Sequence, residues 1–354
     1  MLYKYASWKD KYTKENLEKR YIFFNTPENF NDPFDLYAKF SIGNREFLKD
    51  LFQKEGVTED IESLITNEQL LDFARLMDRS ISINSKYGIT CFSKLCNSIL
   101  MWAMYADKGG GICLGFDIDF ANSDTVKDML SQIENLDKLS GAMFEIIDIN
   151  YNEERPVLEY TPDYDIRELL HTKFKDWNYE EEVRIMVQGN KQYVFPSKLS
   201  YAPKYLSKII LGPMMSIKDF VEFYHLIVKK NPRIDYQIAV LDKDEYKYNI
   251  LDLKNDEMEM LEANMKYLKE NSNELICNIT LLKEDLEKIS KSKRRNSFKE
   301  VVDSIPIYYF KDTFTLFLNK EYRIGRKYSD EENFQLTTFY NLMRENMGAK
   351  LKLK

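Results

Sequence analysis

Through the first 250 residues, short β-prone apolar runs alternate with helical stretches without a regular strand–helix–strand beat. Only 12 glycines and 9 prolines are spread over 354 residues, so the connections include few obligatory turns and longer helices are expected. Runs rich in β-branched and aromatic residues read as strands at Leu2–Tyr5, Tyr21–Asn25, Tyr87–Ser93, Ile112–Ile118, Ala142–Tyr151, Glu182–Val187, Lys208–Gly212 and Tyr236–Val240. Helices are expected near Lys14–Arg20, over Arg45–Gln53, Asn67–Met77 and Ile217–Val228, and over Ser98–Ala106. The last of these is apolar on nearly all sides and so reads as buried. The irregular alternation implies an α+β domain over residues 1–250, with a mixed or antiparallel sheet core and inserted helices. A hydrophobic fraction of 44%, with 24 Tyr and 22 Phe, supplies a sizeable core.

Near residue 251 the texture changes, and residues 251–354 read as a helical extension. Met258, Leu261, Met265, Leu268, Ser272, Leu275, Ile279, Leu282, Leu286 and Ile289 recur at alternating steps of three and four, a heptad seam flanked by Glu and Lys. Asn271-Ser272-Asn273 interrupts it. Two readings stand side by side: a coiled coil joining copies of the chain through 255–290, or a hairpin packed on its own domain. A basic stretch at 291–299 and a mixed aromatic tail follow.

The formal net charge of −7 argues against a protein that coats nucleic acid by bulk electrostatics. From Lys291 onward 14 Lys+Arg oppose 8 Asp+Glu, so an anionic partner fits the tail better than the body. Cys91, Cys96, Cys113 and Cys277 form no C-x-x-C pair, and His171 and His225 provide no zinc-ligand spacing. Reduced thiols in a cytoplasmic protein are the expectation, with no metal. The opening MLYKYASWKDKY has no apolar stretch of signal-peptide length, and no run approaches the roughly 18 apolar residues of a membrane span.

Three constellations carry candidate chemistry. In the segment Trp177–Val187, strand alternation has Val183, Ile185 and Val187 face the core while Glu180, Glu182 and Arg184 share the opposite face. Two neighbouring carboxylates with an arginine to offset them suit the stabilisation of a sugar oxocarbenium ion or the activation of a nucleophile. The same pattern also describes a solvated ion-pair ladder. Second, Ser93 ends a buried strand, Trp102 and Tyr105 lie one helical turn apart, and Gly109-Gly110-Gly111 permits close backbone approach to a phosphate. Core packing and a flexible turn are the alternative there. Third, Asn31-Asp32-Pro33-Phe34-Asp35 reads as a braced turn that also rims a site.

In order along the chain, Leu2–Tyr5, Asn31–Pro33, Cys91–Ser93, Trp102–Ala106, Gly115-Phe116, Trp177–Arg184 and Ile209–Pro213 resemble the bacterial domain of unknown function 2971 family. The resemblance covers roughly residues 1–250 and leaves the heptad segment outside. The family layout is similar to the ADP-ribosyltransferase fold, a fold-level analogy. It implies NAD as substrate, with Lys4 and Tyr5 on its ribose or phosphate and Ser93 bracing the nicotinamide side. Trp102, Tyr105 and Arg184 complete the binding set. Glu182 is implied to bond the ribose 2′-hydroxyl, with Glu180 orienting the acceptor. Lys4 stands where many relatives carry His, and a charged lysine accepts no hydrogen bond.

The expected function is therefore an ADP-ribosyltransferase-like enzyme that modifies a macromolecular target, protein or nucleic acid, in the manner of a toxin or an antiviral defence effector. The kind of protein the family resembles carries that context; no residue does. Two alternatives are a non-catalytic ligand-sensing and assembly module, and a metal-dependent nuclease built on Asp32, Asp35, Glu180 and Glu182.

Overall fold

In the computed structural model the described residues are 1–26, 29–32, 34–35, 39–41, 87–119, 121–159, 167–188, 195–242, 244–256, 258–259 and 262. The expected helices at Arg45–Gln53 and Asn67–Met77, Pro33, nearly all of the heptad segment and the basic and aromatic tails lie outside them.

The described chain is α+β, with a large mixed sheet and few helices. It runs β1 (Leu2–Ala6), α1 (Lys11–Lys19), β2 (Tyr21–Phe24), β3 (Lys39–Ser41), β4 (Tyr87–Ser93), α2 (Ile99–Tyr105) and β5 (Ile112–Phe116). There follow α3 (Ser123–Leu130), β6 (Met143–Asp148), β7 (Asn150–Asn152), β8 (Val157–Glu159) and β9 (Thr172–Phe174). The remainder is β10 (Glu182–Gln188), β11 (Ser197–Ser200), β12 (Leu206–Leu211), α4 (Ile217–Leu226), β13 (Asp235–Leu241) and β14 (Tyr248–Asp252), with short helical turns between. The change of texture expected near residue 251 falls inside β14.

Two compact units divide the chain. The first comprises Met1–Lys4, Lys19–Leu95 and Phe116–Tyr205; the second comprises Tyr5–Glu18, Cys96–Gly115 and the chain from Leu206 onward.

In the first unit the strands run in the order β1–β4–β10–β6, with β10 antiparallel to both of its neighbours. The register sets Glu182 opposite Ser93 and Arg184 opposite Cys91. Strand alternation therefore puts these four on one face, and Phe92, Val183, Ile185 and Val187 on the other. That second face is the apolar core: Phe92 meets Phe116 edge-on at 5.6 Å, and Phe116 meets Tyr201 at 5.2 Å. Gly88 is required beside it, because a Cβ there would lie 2.2 Å from the Phe195 ring. The expected strand over Ala142–Tyr151 is two strands, β6 and β7; β7 leaves the sheet to run parallel with β9, placing Tyr151 opposite Lys173.

The second unit takes β5, β12, β13 and β14 in that order, with β12 and β13 parallel and β13 and β14 antiparallel. Its aromatic core includes Trp8, Phe223 and Tyr236, packed edge-on. Ser98 caps α2 by accepting the Met101 N–H, which fixes the helix start. The expectation that this helix is buried on all sides is corrected: Met101 and Trp102 are buried, but Leu100 and Met104 are 49% and 62% exposed. At seven residues, two turns of helix, it offers only one stripe to the core.

The glycines of this unit serve the chain's own backbone. Asp107, Lys108 and Gly109 all have positive φ, which only glycine adopts without strain. The Lys9 ammonium binds the Asp107 carboxylate at 2.6 Å and holds this corner. Gly212 donates to the Gly111 carbonyl at 2.9 Å, and Met214 donates to that of Gly109 at 2.8 Å. A Cβ on Gly111 would lie 2.2 Å from the Ala6 carbonyl oxygen, and one on Gly212 would lie 2.1 Å from that of Gly109. The close approach that the triple glycine permits is thus made by the Gly212-Pro213 turn.

Candidate functional site

The Glu182–Arg184 face of the first unit is neither a solvated ladder nor a bare pair. Glu182 is 3% exposed, Glu180 4% and Arg184 0%, and further charged groups converge on them. The Arg184 guanidinium donates through Nε to Glu182 Oε1 at 2.8 Å and through one terminal nitrogen to Asp35 Oδ2 at 2.5 Å. The Lys173 ammonium, delivered by β9, donates to Glu182 Oε2 at 2.8 Å and to Glu180 Oε2 at 2.5 Å. It stands 3.9 Å from Asp35 Oδ2. Two cations therefore bind three carboxylates in the interior, where each unpaired charge is costly.

Local geometry explains how these groups meet. The expected place of Glu180 on the strand face beside Glu182 and Arg184 is corrected: Lys175–Glu180 form a 3-10 turn, Glu181 adopts the left-handed conformation at φ 43°, and β10 begins only at Glu182. Glu180 therefore does not share the strand face by alternation. The reversal at Glu181 swings its carboxylate back, and Lys173 joins it to Glu182. Ser93 secures the turn: its hydroxyl, fully buried, donates to the Glu180 carbonyl at 2.6 Å and accepts the Leu95 N–H at 3.1 Å. Asp32 braces the Asn31–Asp35 turn, accepting the Phe34 N–H at 2.8 Å, and so presents Asp35 to Arg184. The Tyr151 hydroxyl accepts the Glu182 N–H at 2.8 Å. Trp177 and Phe30 cover the cations, with Lys173 Nζ 5.0 Å from the Trp177 ring and the Arg184 guanidinium carbon 5.3 Å from the Phe30 ring.

The electrostatics follow from this packing. Burial pushes the Glu182 carboxyl up, but Arg184 and Lys173 outweigh it and hold Glu182 well below the usual carboxylate range. Burial opposes the charge on Lys173, and Glu182 and Glu180 more than reverse that, so the ammonium stays protonated. For Asp35 burial wins and its carboxyl rises, despite Arg184. Its Oδ1 is buried and has no hydrogen-bond partner among the described residues. The Cys91 thiol is pushed well up by burial, with Glu182 adding to the effect, so it remains a thiol facing that carboxylate.

Glu180, Glu182, Arg184 and Ser93 lie close together, Glu180 through the turn and Lys173 rather than through strand alternation. Lys4 is in the same unit, but its ammonium donates to Thr90 Oγ1 at 2.9 Å and to the Cys91 carbonyl at 3.0 Å. Thr90 is on the face of β4 opposite Cys91 and Ser93. Tyr5, Trp102 and Tyr105 belong to the second unit. There Trp102 is fully buried, its indole N–H donates to the Cys96 carbonyl at 3.0 Å, and Tyr5 packs edge-on against it at 5.1 Å. Tyr105 is half-buried on α2. Lys173 and Tyr151 were not singled out from the sequence, and Cys91 only as part of the Cys91–Ser93 motif. The one signal for Lys173 is that two adjacent carboxylates call for a second cation.

The metal-nuclease geometry is not supported: Asp32 caps a turn, Asp35, Glu180 and Glu182 bind Lys173 or Arg184, and no metal-holding group occurs among the described residues. No described helix is long and apolar enough to cross a membrane.

The structure thus defines an α+β protein with a buried carboxylate–cation cluster gathered at the start of β10. Residues 101–185 match the family described as Protein of unknown function (DUF2971), so the resemblance drawn from the motifs is shown over that stretch, which includes Trp102–Ala106, Gly115-Phe116 and Trp177–Arg184. No curated protein and no solved structure matches the chain.

Proposed function

We propose that the first unit carries an ADP-ribosyltransferase-like activity in which Glu182 acts on the ribose of NAD. The observation that supports this most is a carboxylate kept ionised by Arg184 and Lys173, with Tyr151 fixing its backbone. In such a reaction the glycosidic C–N bond breaks, its electron pair leaves with neutral nicotinamide, and positive charge develops on the ribosyl carbon. A group on the target then attacks that carbon and loses a proton. A carboxylate fixed in a low-dielectric site stabilises the developing charge without reorganising. Glu180, tied to the same lysine, would orient the acceptor.

The carboxylate set would accept hydrogen bonds from the hydroxyls of the ribosyl half of NAD. It does not fit the diphosphate, because both cluster cations are committed to carboxylates and the set is formally anionic. Diphosphate recognition is accordingly assigned to groups outside the cluster. The test is transfer of labelled ADP-ribose from NAD to proteins and nucleic acids of a cell lysate: label appears with the intact chain and is absent with Glu182→Gln.

The depth of the cluster favours a second reading, a ligand-sensing module in which the ion network only holds the fold. Ligand binding without NAD turnover, unaffected by Glu182→Gln, selects it.

A further inference from the structure

Strand β6 (Met143–Asp148) ends the sheet: β10 lines one of its edges, and among the described residues no strand lines the other. The register decides which backbone groups face outward there. The Ile149 N–H donates to the Glu182 carbonyl, one step beyond the pair of Asp148 with Val183. Hydrogen-bonded positions alternate along an antiparallel pair, so Met143, Glu145 and Ile147 turn their N–H and C=O groups to β10. Phe144, Ile146 and Asp148 turn theirs away from it, and those groups have no backbone partner among the described residues. Helix α3 packs against β6 without meeting them; its Met129 carbonyl accepts the Ala202 N–H at 2.9 Å.

An outward row of unpaired backbone groups is a template for another strand, and edges are commonly guarded by lysine, proline or a bulge. Strand β6 has neither lysine nor proline, and its register with β10 runs without a bulge. Met143 is 57% exposed and Phe144 and Ile146 are half-buried, so apolar surface accompanies the open edge. Its acidic residues have neighbours within the chain: Asp148 accepts from Lys94 at 2.6 Å, and Glu145 stands 3.9 Å from the His171 ring nitrogen.

The outward set is symmetric about Ile146, and this selects the occupant. A second copy turned about a two-fold axis sets Ile146 against Ile146 and Phe144 against Asp148. Every outward N–H then meets an outward C=O. Glu145 falls opposite Ile147, so no like charges face each other across the pair. A copy slipped along the edge by one hydrogen-bonded step leaves outward groups unmatched.

We infer that β6 is a self-association edge: two copies of this chain pair antiparallel through Phe144, Ile146 and Asp148, joining their sheets across a two-fold axis. The inference is independent of the NAD reading. One strand of contact is a small interface, so the dimer is weak, with a dissociation constant of about 10–100 µM.

Sedimentation velocity of the full chain over about 1–300 µM tests it, with a concentration-dependent monomer–dimer equilibrium expected. Ile146→Pro removes the central donor of each copy, and because that N–H does not serve β10 the strand tolerates it. Self-association then weakens about tenfold or more, the worth of two backbone hydrogen bonds. Phe144→Glu sets a carboxylate opposite Asp148 of the other copy and weakens association likewise. Asp148→Lys added to Phe144→Glu restores it, which reports the antiparallel register. Unchanged thermal melting verifies that each variant folds. A chain monomeric up to about 300 µM overturns the inference. So does a dimer indifferent to both Ile146→Pro and Phe144→Glu, since such a dimer is joined elsewhere, as through the heptad segment.

Discussion

Replacing Lys173 with methionine tests whether the cluster is a closed ion network. Methionine keeps most of the side-chain volume and removes the ammonium that binds Glu180 at 2.5 Å and Glu182 at 2.8 Å. Both carboxylates are then buried with Arg184 as the remaining cation, and breaking a buried pair from one side costs about 3–5 kcal/mol. Against a total stability of about 5–15 kcal/mol this is a large fraction, equivalent to roughly 1–3 M in urea midpoint.

The loss also depends on pH. In the intact chain the folded-state pKa of Glu182 is depressed, so its contribution is complete above the ordinary glutamate value and is lost as pH falls through the folded one. Without Lys173 one of the two cations that hold the Glu182 carboxyl down is gone, and burial is opposed by Arg184 alone. The variant is then penalised most near neutrality and is relieved once the Glu182 carboxyl takes up a proton. Urea unfolding at about pH 7.5 and about pH 5 should show the difference from the intact chain shrinking by about 1 kcal/mol or more. Glu180→Gln in the methionine background should cost less than in the intact chain, because the two residues are directly coupled. A loss below about 1 kcal/mol at neutral pH, or one that does not vary with pH, would refute the network.

Other expectations follow from the same geometry. Gly111→Ala and Gly212→Ala each drive a Cβ into a backbone carbonyl oxygen, at 2.2 and 2.1 Å, and should cost about 3 kcal/mol or more in thermal or urea unfolding; wild-type midpoints would contradict the packing. Gly109→Ala, at φ 86°, should cost about 1–2 kcal/mol by the same measurement. The thiols of buried Cys113 and half-buried Cys91, both raised by burial, should be alkylated slowly or not at all by iodoacetamide at about pH 8 in the native chain, as read by peptide mass spectrometry. Rapid labelling of either one refutes the burial assigned to it.

The strands that frame the site were legible because their signal is local. Tyr87–Ser93 and Glu182–Val187 are apolar runs bounded by polar segments, and they pair as neighbours in the sheet. The location of the candidate site was legible for the same reason, since Glu182 and Arg184 alternate on one strand. What was hidden is non-local or depends on one dihedral. Lys173 reaches Glu182 and Asp35 reaches Arg184 from segments that nothing in the sequence ties to β10, and the turn at Lys175–Glu180 ends on left-handed Glu181, for which the residue itself gives no cue. Glycines 109–111 were visible as a place of close approach, but not that Gly212 makes the approach. Trp102 and Tyr105 share helical spacing, yet only packing decides that the first is enclosed.

The central claim is that Glu182 in this cluster drives cleavage of the nicotinamide–ribose bond. Nicotinamide release from NAD, followed by chromatography, tests it most directly when the intact chain is compared with Glu182→Gln, both verified as folded. The account predicts release by the intact chain and a fall of about 10²-fold or more in the glutamine variant, the scale for removing a group aimed at developing charge. No release by the folded intact chain, or equal release by both, contradicts it.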